Sequence, residues 1–412
     1  MRIDVETDLI VAELDTLAHF SDTEPPAVTR IVYSEADQRA RAWLKAQCLA
    51  AGLAVREDAL GNLFARWQGS DASVGAVGTG SHIDAIPHSG RYDGTVGVIG
   101  GLEAIRALRR TGFPPRKSIE LLAFISEEPT RFGIGCLGSR MLCGNLTAEA
   151  AALLTDRESQ PLGAVREMAG FKGRLAAVKL PAQYFSSFIE LHIEQGPILE
   201  QEQIPIGVVT SIAAPAAVRI LIEGEGGHAG AVLMPKRRDA FLGAAEIALA
   251  VEAAALSTGV IDTVGTCGLV DVFPGLANGI PSRVKLELDV RDTDVARRDS
   301  VLQKIAQVCQ DVAAKRKLQI TSTTLNADAP ATCGPAVVAA LEEACRADGV
   351  SYRRMVSRAY HDSLFMSRIA SAAMLFIPCK GGVSHRPDEY ATPEDLANGA
   401  RVLARTLAAL AS

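Results

Sequence analysis

Apolar positions along this chain recur with two periods, and the switches between them outline its elements. Near residues 5–20 and 34–52 they return every three or four positions, which predicts amphipathic helices. A strand-like segment follows near 54–67. A short apolar run at 74–77 predicts a buried strand ending at His82 and Asp84, whose side chains share a face by alternation. After a Gly- and Pro-containing loop, Asp93 stands just before a helical pattern at 96–110. Residues 118–126 predict a second buried strand, and it ends in Glu127 and Glu128. Strand, helix, strand at this spacing predicts a right-handed βαβ unit and a parallel sheet with helices on its faces. Residues 185–196 alternate strictly, with Glu190, His192 and Glu194 on one face and Ile189, Leu191 and Ile193 on the other.

The pattern changes at about residue 213. Pro215 interrupts it, a strand is predicted at 217–223, and a Gly-rich turn carrying His228 follows. A helix at 238–256, strands at 263–272 and 283–290 and a helix at 294–317 complete a β-α-β-β-α order. From 328 the α/β pattern resumes, with a helix at 336–347, a strand at 372–378 and a helix at 393–410. The expected fold class is therefore α/β: a mixed, mostly parallel sheet flanked by helices, formed by 1–212 and 328–412. An α+β domain of ferredoxin-like type, 213–327, is expected as an insertion that serves as dimerisation or lid domain. Its exposed helix and edge strands make it the candidate for pairing two copies.

Composition narrows the function. The chain has 412 residues, 48% of them hydrophobic and 22% charged, as in globular proteins with ample core. Its net charge of −6 and lack of a Lys/Arg-rich tract argue against nucleic acid and anionic membrane as partners. The first twenty residues lack an apolar signal-peptide core, and no long uncharged apolar run predicts a membrane span. The eight scattered cysteines, without a C-x-x-C pair, fit buried thiols in a reducing compartment, and a cytoplasmic location is expected.

The chemistry gathers at strand ends, where sheets of this class bind ligands. A neutral imidazole at His82 and a carboxylate at Asp93 are good metal ligands, with Asp84 orienting His82 through its other ring nitrogen. Adjacent carboxylates at Glu127 and Glu128 repel each other if buried, and a divalent cation removes most of that penalty. One of the two then binds metal while the other exchanges protons with water. The acidic–His–acidic row 190–194 places an imidazole on a metal with carboxylates behind it. Of seven histidines, five (82, 192, 228, 361 and 385) lie in polar segments within or just after strands. Nitrogen and oxygen ligands without thiolates suit a two-ion site of Zn²⁺ or Mn²⁺.

Several stretches resemble a known family: SEEPTRFGIGCLGSR (126–140), FIELHIEQGPILE (188–200), GGHAGAVLMP (226–235), Arg291-Asp292 and GVSHRP (382–387). They are similar to the amidase/carbamoylase branch of the M20 metallopeptidase family, from about residue 10 onward. The resemblance implies metal ligation by His82, Asp93, Glu128, His192 and His385, with Asp93 bridging two ions and Glu127 as general base. It further implies Gln195, His228, Asn278, Arg291, Tyr360 and His361 around the substrate, with His228 crossing from the partner of a homodimer. EEPTRFGI, AAPA (213–216) and SRAYHDSLFM (357–366) are most similar to the ureidoglycolate-cleaving members. The expected reaction is hydrolysis of the ureido group of a small carboxylate, (S)-ureidoglycolate, to glyoxylate, ammonia and carbon dioxide, as in purine and allantoin breakdown. Allantoate, an N-carbamoyl-L-amino acid or β-ureidopropionate are alternative substrates on the same chemistry. A peptidase and a non-catalytic metal-binding protein are the remaining alternatives.

Overall fold

The structure, a computed structural model, describes residues 1–412. It divides into two compact units, Met1–Thr210 with Thr332–Met355 and His361–Ser412, and Ser211–Ala331 with Val356–Tyr360.

The first unit is built on a nine-stranded mixed sheet, parallel at its centre. The central order is Ser371–Ile377, Phe185–Ile193, Ala76–His82 and Ile119–Phe124, each parallel to its neighbour. Ile206–Ile212 adds antiparallel on one side, and Leu63–Trp67 and Ala54–Glu57 on the other. The central strands are buried on both faces; Ile119–Phe124 accordingly reads as an apolar run, whereas Phe185–Ile193 alternates in sequence although both of its faces are covered. Helices Thr95–Arg110 and Pro393–Ala411 cover the sheet, and Thr392 caps the latter by accepting the Asp395 N–H at 3.1 Å. The 54–67 segment is a hairpin rather than one strand. Asp58 Oδ1 accepts the N–H groups of Leu60, Gly61 and Asn62 and closes the turn.

The second unit is a four-stranded antiparallel sheet, in the order Val264–Phe273, Arg283–Asp292, Ala214–Glu223, Gln319–Ala327. The last strand extends the expected β-α-β-β-α order to β-α-β-β-α-β. Val284, Leu286, Leu288 and Val290 alternate toward helices Ala240–Leu256 and Val295–Arg316 and form the core with Ile247, Val251, Val301 and Ile305. Asp239 and Asp294 cap the two helices. No helix of the chain is long and apolar enough to cross a membrane.

Candidate active site

Four parallel strands deliver their carboxyl ends to one edge of the first unit. His82 ends one strand, Glu127 and Glu128 follow the second, His192 is next to last in the third, and His385 follows the fourth. Asp93 lies among them. Its Oδ1 is 3.6 Å from His82 Nε2 and 3.1 Å from His192 Nε2, and its Oδ2 is 3.1 Å from His385 Nε2. His385 Nε2 is also 3.2 Å from Glu128 Oε1, and His82 Nε2 is 3.8 Å from Glu127 Oε2. Two clusters with the reach of a metal ion, His82–Asp93–His192 and Asp93–Glu128–His385, therefore share Asp93.

The tautomers follow from the main chain. His82 Nδ1 is 3.0 Å from the Asp84 carbonyl oxygen and His192 Nδ1 is 2.9 Å from that of Ile193. A carbonyl only accepts, so both rings carry the hydrogen on Nδ1 and turn the Nε2 lone pair toward Asp93. The Gly94 N–H donates to His192 Nε2 at 3.1 Å, in keeping with that lone pair. Lone pairs and carboxylate oxygens thus face one another across 3.1 and 3.6 Å. Protonating a ring relieves one such contact, whereas a divalent cation relieves all of them together. The donor set, imidazole nitrogens and carboxylate oxygens only, suits Zn²⁺ or Mn²⁺.

The electrostatics show the same tension. Burial lowers the His82 imidazole, but Glu127, Asp93 and Asp84 outweigh it and push it well above its usual value. Hydrogen bonds to Asp93 and Glu128 carry His385 up to about 11. Burial raises Asp93, yet hydrogen bonds from the protonated forms of His192, His385 and His82 hold it well below the usual carboxylate range. Glu127 goes the other way. Burial, reinforced by Glu128 and Asp362 and opposed by His82, pushes it well above that range. Two nearby carboxyls with opposite shifts are the mark of separate ligand and proton-carrying roles.

Supporting contacts differ from expectation in three places. The Asp84 carboxylate does not reach His82 as a hydrogen-bond partner; its Oδ1 is 3.7 Å away and the carbonyl does that work. Its two oxygens instead accept the Glu127 N–H at 3.1 Å and the Glu128 N–H at 3.0 Å, because the two strand ends lie side by side. In the 190–194 row Glu190 lies beside the His192 imidazole, and Glu194 does not belong to that cluster. Glu190 accepts from Ser81 and Ser363, and Glu194 accepts the Ile198 and Leu199 N–H groups. Gln195 donates to Asp93 Oδ2 at 2.8 Å, so in this structure it braces the central carboxylate. His361 is buried with its ring 4.6 Å from that of His192, and joins Glu190 and His192 in a third cluster.

His228, Asn278, Arg291 and Tyr360 belong to the second unit. His228 is exposed on a two-residue strand paired with Gly279–Ile280, and the Asn278 carbonyl accepts the Ala229 N–H at 2.9 Å. Arg291 donates to both carboxylate oxygens of Asp289, and the Tyr360 hydroxyl donates to Asp328.

Three residues of the site escaped sequence reasoning. Ser384 donates to Asp93 Oδ2 at 2.8 Å and also bonds Glu389 Oε2 at 2.9 Å. Glu389 Oε1 accepts the N–H groups of Tyr92 and Asp93 and, chiefly through burial, is raised to about 7. Cys136 Sγ lies 3.2 Å from Glu127 Oε1. The crowding of Ser384 and Glu389 around His385 was the available signal for the first two. Cys136 carried none, because a buried thiol looks like a small apolar residue.

Known proteins are similar to this chain over almost its whole length. A ureidoglycolate hydrolase of Oryza sativa subsp. japonica is 51% identical over 411 residues, covering 98% of this chain and 85% of that one. A ureidoglycolate hydrolase of Arabidopsis thaliana is 50% identical over 405 residues, covering 97% and 85%. The crystal structure of AtUAH in complex with glyoxylate superposes with a TM-score of 0.92 at 49% identity, covering 99% of this chain and 98% of that one. The profile of Peptidase family M20/M25/M40 matches residues 78–409, a span that contains all five expected ligands and Glu127, and the chain belongs to that family.

Proposed function

We propose that this chain hydrolyses the ureido group of a small carboxylate, and that its substrate is (S)-ureidoglycolate. It is a hydrolase of C–N bonds in linear amides. The observation that carries the reading is the convergence of three imidazoles and Glu128 on Asp93, with Glu127 held beside them at a raised pKa. The half-identical ureidoglycolate hydrolases support the choice of substrate.

In this reading His82, Asp93, Glu128, His192 and His385 would hold two divalent ions, Mn²⁺ or Zn²⁺, Asp93 belonging to both ligand clusters. When bound, the ions would acidify a water and polarise the ureido carbonyl. The chain's own residues do the rest. Glu127 accepts the proton that water loses and returns one to the leaving nitrogen. Ser384 and Gln195 keep Asp93 aimed, and the Asp84 carboxylate fixes the main chain of both glutamates. His228 donates to the oxyanion that forms at the ureido carbon. Arg291, Asn278, Tyr360, His361 and Gln195 surround the substrate, and Arg291 offers its carboxylate a planar fork. Water and ureidoglycolate give glyoxylate, two ammonia and one carbon dioxide, the carbamate step collapsing unaided.

The protein acts as a homodimer in which His228 serves the partner's site. Exposed Leu249, Leu256, Val270 and Phe273 on the second unit support a second copy as their cover. A cytoplasmic location completes the reading.

Ammonia release from ureidoglycolate, allantoate, an N-carbamoyl-L-amino acid and a dipeptide tests it. Ureidoglycolate is expected to turn over with the highest kcat/KM. Faster release from allantoate or the N-carbamoyl compound would move the substrate, and cleavage of the dipeptide alone would overturn the reaction class.

A further inference from the structure

The geometry points to Cys136 as the positioning residue of Glu127: its thiol engages one carboxylate oxygen and leaves the other turned toward the metal-binding histidines. The inference rests on the reading of Glu127 as proton carrier.

After the Ile119–Phe124 strand the chain departs at Ile125 and returns at Gly138. The returning segment is fastened to the departing one. The Gly138 N–H donates to Ile125 O at 3.0 Å, that of Leu137 to Ser126 O at 2.9 Å, and that of Cys136 to Glu127 O at 2.7 Å. Cys136 therefore meets Glu127 twice, once through the main chain and once through Sγ, 3.2 Å from Oε1. The other oxygen, Oε2, is the one 3.8 Å from His82 Nε2.

A glutamate's terminal torsion is broad and two-fold, so an unrestrained carboxylate presents either oxygen at many angles. A proton carrier works best when one oxygen stays within reach of the attacking water and the leaving nitrogen. A donor on Oε1 supplies that restraint and leaves Oε2 the more basic atom. The surroundings hold Cys136 to this task. It is fully buried, and its φ of 54° lies where side-chain-bearing residues seldom sit. Glycine would be at ease there, yet the position carries a thiol aimed at Glu127. The Ser139 hydroxyl bonds both the Cys136 carbonyl, at 3.3 Å, and Asp362 Oδ1, which fastens the segment to the turn after His361.

Cys136→Ala and Cys136→Ser test this on the metal-loaded enzyme with ureidoglycolate. Both keep Cβ, so the left-handed backbone is equally strained in all three chains and any difference reads the sulfur. Cys136→Ala is expected to lower kcat about tenfold, with KM within about twofold and metal content unchanged. Cys136→Ser, whose hydroxyl still donates, should stay within about threefold of the wild type. In a Glu127→Gln background Cys136→Ala should cause no further loss, because the group that it positions is gone. Wild-type kcat in Cys136→Ala, or the same fold-loss in both backgrounds, overturns the inference. Should the Ala chain fail to fold, Cys136→Gly replaces it with the same expectation, since glycine suits this φ. Near-normal turnover of Glu127→Gln by itself overturns the proton-carrier reading and this one with it. Loss of turnover in Glu127→Gln with no effect of Cys136 overturns this one alone.

Discussion

Gly94 leaves no room for a side chain beside His82. A Cβ there would stand 2.4 Å from His82 Nε2, and its φ of 67° is one that side chains rarely adopt. Gly94→Ala is expected to displace the His82 ring and sharply reduce metal content and turnover. Gly112, with a φ of 75° and nothing near its missing Cβ, is the control. Gly112→Ala should lose about 1 kcal/mol of stability by backbone strain and keep its metal. Metal per chain by elemental analysis and Tm separate the two. Equal metal content in both variants would show that Gly94 is not needed for ligand geometry. Glu127→Gln makes the complementary change, because it removes a proton carrier and leaves the ligand set whole. It should keep fold and metal while kcat falls about 10²–10⁴-fold. Full metal with near-normal turnover would end the proton-carrier role.

Among the elements, the Arg283–Asp292 strand shows how a core strand and its polar end divide labour. Its alternating apolar residues face the two helices, and Asp292 closes it with a buried carboxylate. Asp292 receives the Arg297 guanidinium through Nε at 2.7 Å and Nη2 at 2.5 Å, and the Thr263 hydroxyl at 2.6 Å. Burial would raise this carboxyl, but those donors hold it below its usual value. A carboxyl depressed in the folded state adds stability that is fully present above the unfolded pKa of about 3.9 and is lost as pH falls through the lower native value. Asp292→Asn should therefore be less stable than the wild type by about 1–2 kcal/mol at pH 7. The gap should narrow toward pH 3. Urea midpoints of the two chains across that range check it, and a gap that widens on acidification would reverse the sign argued here.

At the scale of the whole molecule, the metal site and the fold are separable. The first unit's core holds clusters such as Phe64, Phe124, Phe188 and Leu122, all fully buried, that owe nothing to the ligands. Chelation is expected to abolish turnover while the far-ultraviolet spectrum stays folded, and Mn²⁺ should restore activity. Turnover by exhaustively metal-free enzyme would rule out the metal-dependent reading. Added metal should raise Tm in proportion to its binding to the folded chain. The proposed exchange of His228 across a dimer has its own test. Mixing His228→Ala with Glu127→Gln chains, each nearly inactive alone, leaves one complete site per mixed dimer if His228 crosses. Up to about half of wild-type activity per mixed dimer is then expected. Mixed dimers confirmed by mass but without recovery would place His228 in its own chain's site.

Much of this was legible in the amino-acid order, for a local reason. Backbone sterics set the periods of 3.6 and 2 within a few residues, so helices, strands and the polar residues closing them could be read directly. His82, Asp93, Glu127 and Glu128 each stood at or beside a predicted strand or helix end, His192 stood within an alternating strand, and the family resemblance made His385 a ligand. The order of strands in the sheet had to come from packing. Ser371–Ile377 lies beside Phe185–Ile193, and that neighbourhood brings Ser384 and His385 to Asp93, 291 and 292 positions away in the sequence. Only the tertiary structure showed that the Asp84 carboxylate holds two amides rather than His82, and that residues 356–360 join the second unit. It alone placed Ser384, Glu389 and the Cys136 thiol around the ligands. Such contacts join residues far apart in the chain, and a single distant hydrogen bond leaves no periodic trace in the sequence between its partners.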